Sequence, residues 1–254
     1  MQSKTMTMIA ILVLANFSYA QTDLIFKTSF EFVSKLNDTG ITWSGEYPSG
    51  DLTECTNPAS NPSPQDCNTG RDVTHNDGSD GHAGFSFTKL DANGVPLVDQ
   101  SVDYGTQTWA CVRDNVTGLV WEVKTTTAGI HHQDNTYRWG GITAIGLGHP
   151  DAEGTYYDDW DVLVNGSNSE TLCGFDNWRV PTIDELTGLA NYGTFNPAID
   201  TDYFPNTVSS GFWSSLPFAG NDYAASIVHF GGGNGYNDPR GISSRVRLVR
   251  SPGQ

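Results

Sequence analysis

Aromatic rings set close to short amide and carboxylate side chains are the arrangement in this sequence with the clearest chemistry. A carbohydrate site needs ring faces for sugar C–H groups, and planar amide, carboxylate or guanidinium groups for hydroxyls. The chain carries 7 Trp and 10 Tyr. Two nearby stretches combine both kinds of group: Asn221, Asp222 and Tyr223, then Asn234, Tyr236, Asn237 and Asp238. Their composition reads as loop, and the seven residues form the candidate ligand-binding set.

Other constellations point to weaker chemistry. Asn76-Asp77-Gly78-Ser79-Asp80-Gly81 is rich in oxygen donors and makes calcium the one candidate cofactor, although it lacks the ordered acids and distal Glu of an EF-hand. The run His131-His132-x-Asp134 invites a transition metal, but adjacent histidines point apart on a strand and spacing fixes no third ligand, so no metal ligands are assigned. Arg179, Arg245 and Arg247 could grip an anion. The alternation of the last two with Val246 and Leu248 suggests instead a strand whose arginines pair with neighbouring carboxylates. No G-x-S-x-G, H-E-x-x-H or phosphate loop is present, and no catalytic residue is assigned.

The formal net charge of −16 disfavours nucleic acid and anionic lipid as partners. A glycan or another surface protein fits better, and a homo-oligomer is compatible with the sequence. Residues 1–20, with Lys4, an apolar run from Met6 to Ala15 and small residues before Gln21, read as a signal peptide. No later stretch is apolar enough for membrane insertion. Residues 21–35 read as a leader and 36–254 as a single domain. The expected location is secreted or at a bacterial cell surface, with the periplasm as an alternative.

Four cysteines in an exported chain imply two disulfides, for which three pairings are possible. Cys55 with Cys67 would staple the Pro- and Asn-rich loop between them, leaving Cys111 with Cys173 to close a much longer one. By chain entropy the long closure contributes about 4 kcal/mol and the short one about 3 kcal/mol. Zinc is the competing reading, but no pair has C-x2-C spacing.

The elements that must position these residues follow from periodicity. Phe85–Thr88, Trp109–Arg113 and Leu119–Val123 read as strands, the last two forming a hairpin across Asp114–Gly118. A turn follows the first at Asp91–Gly94. A helix is expected from Thr182, with Glu185 completing a capping box, Ile183, Leu186, Leu189 and Ala190 on one face, and Gly193 ending it. A second is expected near 158–165, burying Trp160, Leu163 and Val164, with Asp158, Asp159 and Asp161 favoured by its dipole. Strands return at 211–216, 223–230 and 244–250. Segregated strands and helices give an α+β class. The form T-G-[I/L]-x-W occurs at Thr39–Trp43 and Thr117–Trp121, which suggests one turn used twice.

The runs Cys111–Glu122, Leu172–Leu186, Phe212–Ser215 and Val246–Arg250 together resemble the Lcl C-terminal domain of Legionella collagen-like adhesins, formerly a domain of unknown function (DUF1566). Asp38–Gly40 and Gly70–Asp72 look like its beginning. The resemblance implies a C-type lectin-like domain of antiparallel strands, about two helices and long disulfide-stapled loops. It also implies that Trp109, Trp121, Trp178 and Trp213 are core, and that the function is attachment through a non-catalytic recognition module, with glycans as one ligand class. A structural part of a pilus or outer-membrane complex is the alternative. The similar start of the Trp178–Leu186 segment in formylglycine-generating enzymes leaves such chemistry in reserve. The family's binding of sulfated polymers sits poorly with this acidic chain.

Overall fold

The computed structural model describes residues 37–45, 52–54, 70–75, 77–146 and 153–252. The signal peptide, the leader, Cys55, Cys67 and Asn76 lie outside the described residues.

Strands β1 (Trp43–Gly45) and β2 (Leu52–Glu54) pair as a short ribbon. Strands β3 (Phe87–Leu90), β4 (Cys111–Asp114), β5 (Val120–Glu122) and β9 (Val249–Arg250) make a four-stranded antiparallel sheet in that order. Strands β6 (Gly211–Pro217), β7 (Ala224–His229) and β8 (Asn234–Pro239) make a three-stranded one. Helices α1 (Asp161–Ser169) and α2 (Ile183–Thr187) complete a mixed α+β architecture. Among the described residues no helix is long and apolar enough to cross a membrane.

Consecutive apolar residues in the strands explain the layering. In β4, β5, β6 and β7 the pairs Cys111 and Val112, Val120 and Trp121, Phe212 and Trp213, and Ile227 and Val228 point to opposite faces. One member of each pair joins a core around Trp121, Phe204 and Phe212, and the other a core around Trp160, Trp178 and Trp213. Strands buried on both faces read as unbroken hydrophobic runs, as these do. Trp109, Trp121, Trp178 and Trp213 are all buried, as expected.

The Cys111–Cys173 disulfide forms inside the second core. The hairpin of β4 and β5 forms as expected, with Cys111 opposite Glu122. The turn after β3 does too: Gly94 has φ +77° and its N–H donates to the Asp91 carbonyl, while a Cβ there would lie 2.3 Å from the Cys173 carbonyl oxygen. The repeated T-G motif is one turn used twice. Gly40 and Gly118 have φ +78° and +79°, and the N–H of Ile41 and of Leu119 each donates to the preceding Thr hydroxyl at 3.2 Å. The two tryptophans part company, Trp43 being exposed and Trp121 buried.

Several expectations need correction. The strand expected at Phe85–Thr88 runs two residues later, because the N–H of Phe85 turns back to the His82 carbonyl. Helix α2 has the capping box, with Thr182 Oγ1 accepting from Glu185 N and Glu185 Oε2 from Thr182 N, but it stops after Thr187 rather than at Gly193. Gly193 instead allows the chain to pass the Gly40 carbonyl, which a Cβ would meet at 2.1 Å. Helix α1 starts at Asp161, so Asp158 and Asp159 precede it. Asp159 holds Arg138 with both oxygens, and Asp161 accepts the Ile142 N–H. Residues 244–248 are extended but bridge to Tyr137 and Phe212 instead of forming a ladder.

Candidate functional site

The seven residues of the candidate loop do not form one site. Asn234 to Asp238 lie on β8, an edge strand paired along its length with β7, and not in a loop. The pleat sends Asn234, Tyr236 and Asp238 to one face and Asn237 to the other, where its Oδ1 accepts the Ser226 hydroxyl. Tyr236 lies 6.3 Å from the His229 ring. Asn221, Asp222 and Tyr223 form the turn between β6 and β7, beside Asp238, since Asp238 pairs with Ala225. Asn234 is at the far end of β8, about 13 Å away by strand rise.

A concave space among the described residues lies elsewhere. A cleft of about 710 Å³ is bounded by the segments 78–89, 100–109 and 191–205, and none of the seven residues lines it. Its floor is set by Lys89 on β3. This side chain is 3% exposed, its Nζ donates to the Val102 carbonyl at 2.8 Å, and it sits 4.4 Å from the Trp109 ring centre and 5.0 Å from that of Tyr203. Such contacts stabilise an ammonium that water no longer reaches. Burial still pushes Lys89 below the usual lysine range, against the opposing charges of Asp202, Asp200, Asp99 and Asp103.

The loop leading to Trp109 is braced by its own short polar side chains. Gln100 Oε1 accepts the Lys89 N–H at 2.7 Å and its Nε2 donates to the Lys89 and Leu97 carbonyls. Asp99 accepts from Ser101, and Asp103 from the N–H and hydroxyl of Thr106. These local bonds hold a turn without burial. The Tyr104 ring meets Trp109 edge-on at 4.8 Å, and Trp109 Nε1 donates to the Tyr203 carbonyl across to the facing wall.

On that wall Asp200 accepts from the N–H groups of Asp202 and His82. Burial pushes its carboxyl above the usual range, and the neighbouring Asp202 charge adds to this. Tyr203 is raised by burial and by the surrounding carboxylates, so its hydroxyl stays protonated and donates to the Ser79 carbonyl. Asn191 lines the cleft at 1% exposure. Its Oδ1 accepts the Gly193 N–H, while its Nδ2 has no hydrogen-bond partner. Rings, amides, hydroxyls and carboxylates thus converge on one concave space.

The remaining candidates are structural. Asp77 accepts from Ser79 N in an exposed local turn and Asp80 from the Ser86 hydroxyl, so both carboxylates of the described part of the oxygen-rich loop are engaged within their own segment. Among the described residues no group of three or more His, Cys, Asp or Glu is arranged to hold a metal ion. Arg179 pairs with both oxygens of Glu185, and Arg245 lies 3.7 Å from Asp134. Arg247 departs from the expected carboxylate pairing, donating to the Glu122 carbonyl and the Thr207 hydroxyl.

His131 bridges two carboxylates, with Nδ1 2.7 Å from Glu122 and Nε2 against Glu170. His132 faces the Asp134 N–H. Glu122 is fully buried and also accepts from Lys124 Nζ and Leu248 N. Burial alone would raise its pKa, but Lys124 and His131 hold it at about 2.

A family model, the Lcl C-terminal domain, matches residues 110–250, which is more than half of the chain, and the chain belongs to that family. No curated protein matches it significantly.

Proposed function

As a member of the Lcl C-terminal domain family, this chain is, we propose, an exported, non-catalytic recognition or adhesion module that holds a glycan in the cleft around Lys89, Trp109 and Asp202. One observation carries the reading: a concave space of about 710 Å³ that combines aromatic rings with amide, hydroxyl and carboxylate groups. Pockets of this size and mixed chemistry suit small or oligomeric ligands.

Export is supported by the leader-like residues 1–20 and by the Cys111–Cys173 disulfide, a bond that persists in oxidising compartments. Secretion or display on a bacterial surface, with the periplasm as the alternative, is part of the proposal. So is a single domain over 36–254, supported by the clustering of Leu36–Gln254 into one compact unit. A C-type lectin-like topology remains our reading of the antiparallel sheets and long loops. Formylglycine-type chemistry is disfavoured among the described residues, because the two cysteines there, Cys111 and Cys173, are bonded to each other.

A glycan array probed with the full chain, with and without calcium, tests the reading. Binding that is lost in Trp109→Phe or Asp202→Asn supports it, and a silent array for a folded chain overturns it. The assembly alternative has an observation of its own: β8 is an exposed edge strand, the kind of surface on which another chain can add a strand. A stoichiometric protein partner co-purifying from native membranes would favour that alternative.

A further inference from the structure

We propose that His131 is a pH-operated latch: it fastens the loop of residues 125–135 to the end of α1 while its ring is charged, and lets go of Glu170 when the ring loses a proton. The inference is independent of what the cleft holds.

The placing of the ring carries it. The His131 side chain is 16% exposed, and each ring nitrogen faces a carboxylate, Nδ1 that of Glu122 at 2.7 Å and Nε2 that of Glu170. A carboxylate only accepts, so both contacts hold together only when both nitrogens carry hydrogen, as in the imidazolium. The two carboxylates are unlike. Glu122 is fully buried and also accepts from Lys124 Nζ and the Leu248 N–H, whereas the Glu170 side chain is 47% exposed, just past the last residue of α1. When one proton leaves, the remaining N–H stays with the buried acid, because a hydrogen bond lost by a buried charge is not replaced by water. A lone pair on Nε2 then faces Glu170, and Glu170 turns to solvent.

The loop is built to move as one piece on that side. The N–H of Thr125 donates to the His131 carbonyl and that of Gln133 to the Thr125 carbonyl, while Asn135 Nδ2 donates to the Gly129 and Ile130 carbonyls. Beside His131, Ile130 packs on α1 at Gly166, where a Cβ would lie 2.7 Å from its Cδ1. Arg245 holds the Gln133 carbonyl and Asn206 the Lys124 carbonyl from other elements, so release is confined to the face on α1.

The neighbouring charges set the direction. Lys124 opposes a charged ring, and Arg247 lies behind it on the C-terminal segment, donating to the Glu122 carbonyl. His132 and Asp134 belong to the loop itself, with Asp134 3.7 Å from Arg245. Tyr137, whose hydroxyl donates to the Ile130 carbonyl, is pushed up to about 12 by burial and by Glu122 and stays neutral. Burial also works against the charged His131 ring, but Glu122 and Glu170 outweigh it and raise the ring above 6.5. The latch is closed below 6.5 and opens as pH rises through the raised value.

NMR titration of the His131 ring and backbone hydrogen exchange, corrected for the intrinsic pH dependence of amide exchange, test this on the full chain. The ring is expected to titrate above 6.5. Protection in peptides covering 125–135 and 165–172 should fall about tenfold across the same midpoint, the worth of one charge-assisted hydrogen bond, while β4 and β6 stay protected. Glu170→Gln should lower the midpoint and abolish the change in protection, because a side-chain amide can accept from the charged ring or donate to the neutral one. His132→Gln should alter neither.

A midpoint at or below 6.5 overturns the inference. So does protection that stays flat through the midpoint, or that falls equally in β4 and β6. A change that persists in Glu170→Gln, or that disappears in His132→Gln, overturns it as well by placing the trigger elsewhere.

Discussion

Two buried charges on the four-stranded sheet are stabilised by different means. Glu122, on β5, receives hydrogen bonds from Lys124, His131 and the backbone of Leu248, so strand, loop and C-terminal segment converge on it. Lys89, on β3, is met by one carbonyl and two aromatic rings, and its surroundings are loops that hold themselves with Asp, Ser, Thr and Gln side chains. The first arrangement lies within residues 110–250, where the family model matches. Much of the second, from Ser79 to Trp109, precedes them. The matched segments therefore serve the scaffold, through the Cys111–Cys173 bond and the Arg179–Glu185 pair, whereas the cleft takes one of its walls from outside the match. Family membership accordingly informs the fold more than the ligand.

Breaking the scaffold should cost stability without changing what the surviving folded molecules bind. Replacing Cys111 and Cys173 by Ala opens a closure spanning 62 residues and should lower stability by about 4 kcal/mol, read as a shift of the urea midpoint. Glu122→Gln leaves Lys124 and His131 without their buried counter-charge and should cost about 3 kcal/mol in the same measurement. In both variants, affinity per folded molecule in the cleft should match the parent. A large affinity loss would mean that the two regions are coupled.

The pH dependence separates the regions by sign. Glu122 is held at about 2 against an ordinary 4.5, so its contribution is complete above 4.5 and is lost as pH falls towards 2. For His131 burial works against the charged ring, but Glu122 and Glu170 raise it above the ordinary 6.5. Its contribution is complete below 6.5 and is lost as pH rises through the raised value. The network is thus strongest between about pH 4.5 and 6.5. Asp200 in the cleft behaves oppositely to Glu122: with its value raised, stability declines as pH rises from 3.8 through that value. Urea midpoints across pH for the parent, His131→Gln and Asp200→Asn should show each slope disappear separately.

Smaller effects complete the contrast. Thr182→Ala removes the hydroxyl cap of α2 and should cost about 1 kcal/mol by thermal unfolding. Asp200→Asn removes a buried charge but leaves one acceptor for two N–H groups, which Oδ1 and Oδ2 receive separately, so the opposing effects should keep the net change at pH 7 within about 0.5 kcal/mol.

What could be read from the sequence follows the range of the interactions. The Thr182–Glu185 box, the Asp91–Gly94 turn and the twin Thr-Gly turns are contained within a few residues, and all are present. The four core tryptophans were legible through the family resemblance, because they lie in its motifs, and all four are buried. Strand β8 was misread because Asn, Gly, Asp and Pro are turn-forming residues. At a sheet edge, main-chain bonds to β7 outweigh that preference, and exposed side chains need not be apolar. The cleft was invisible for a different reason. It exists where residues near 80, 100 and 200 meet, and Lys89 in isolation gives no sign that two rings and a carbonyl await it.

The Gln100 amide that braces the cleft also closes an edge. Strand β3 is outermost in its sheet, and an outermost strand with free N–H and C=O groups is a template on which a second chain can polymerise. Here the Lys89 N–H and carbonyl are both taken by Gln100, and the Phe87 N–H by the Asp80 carbonyl. A neighbouring copy would have to displace a side chain tethered to the same loop. A second copy therefore finds neither the Lys89 N–H nor its carbonyl free on β3 to pair with.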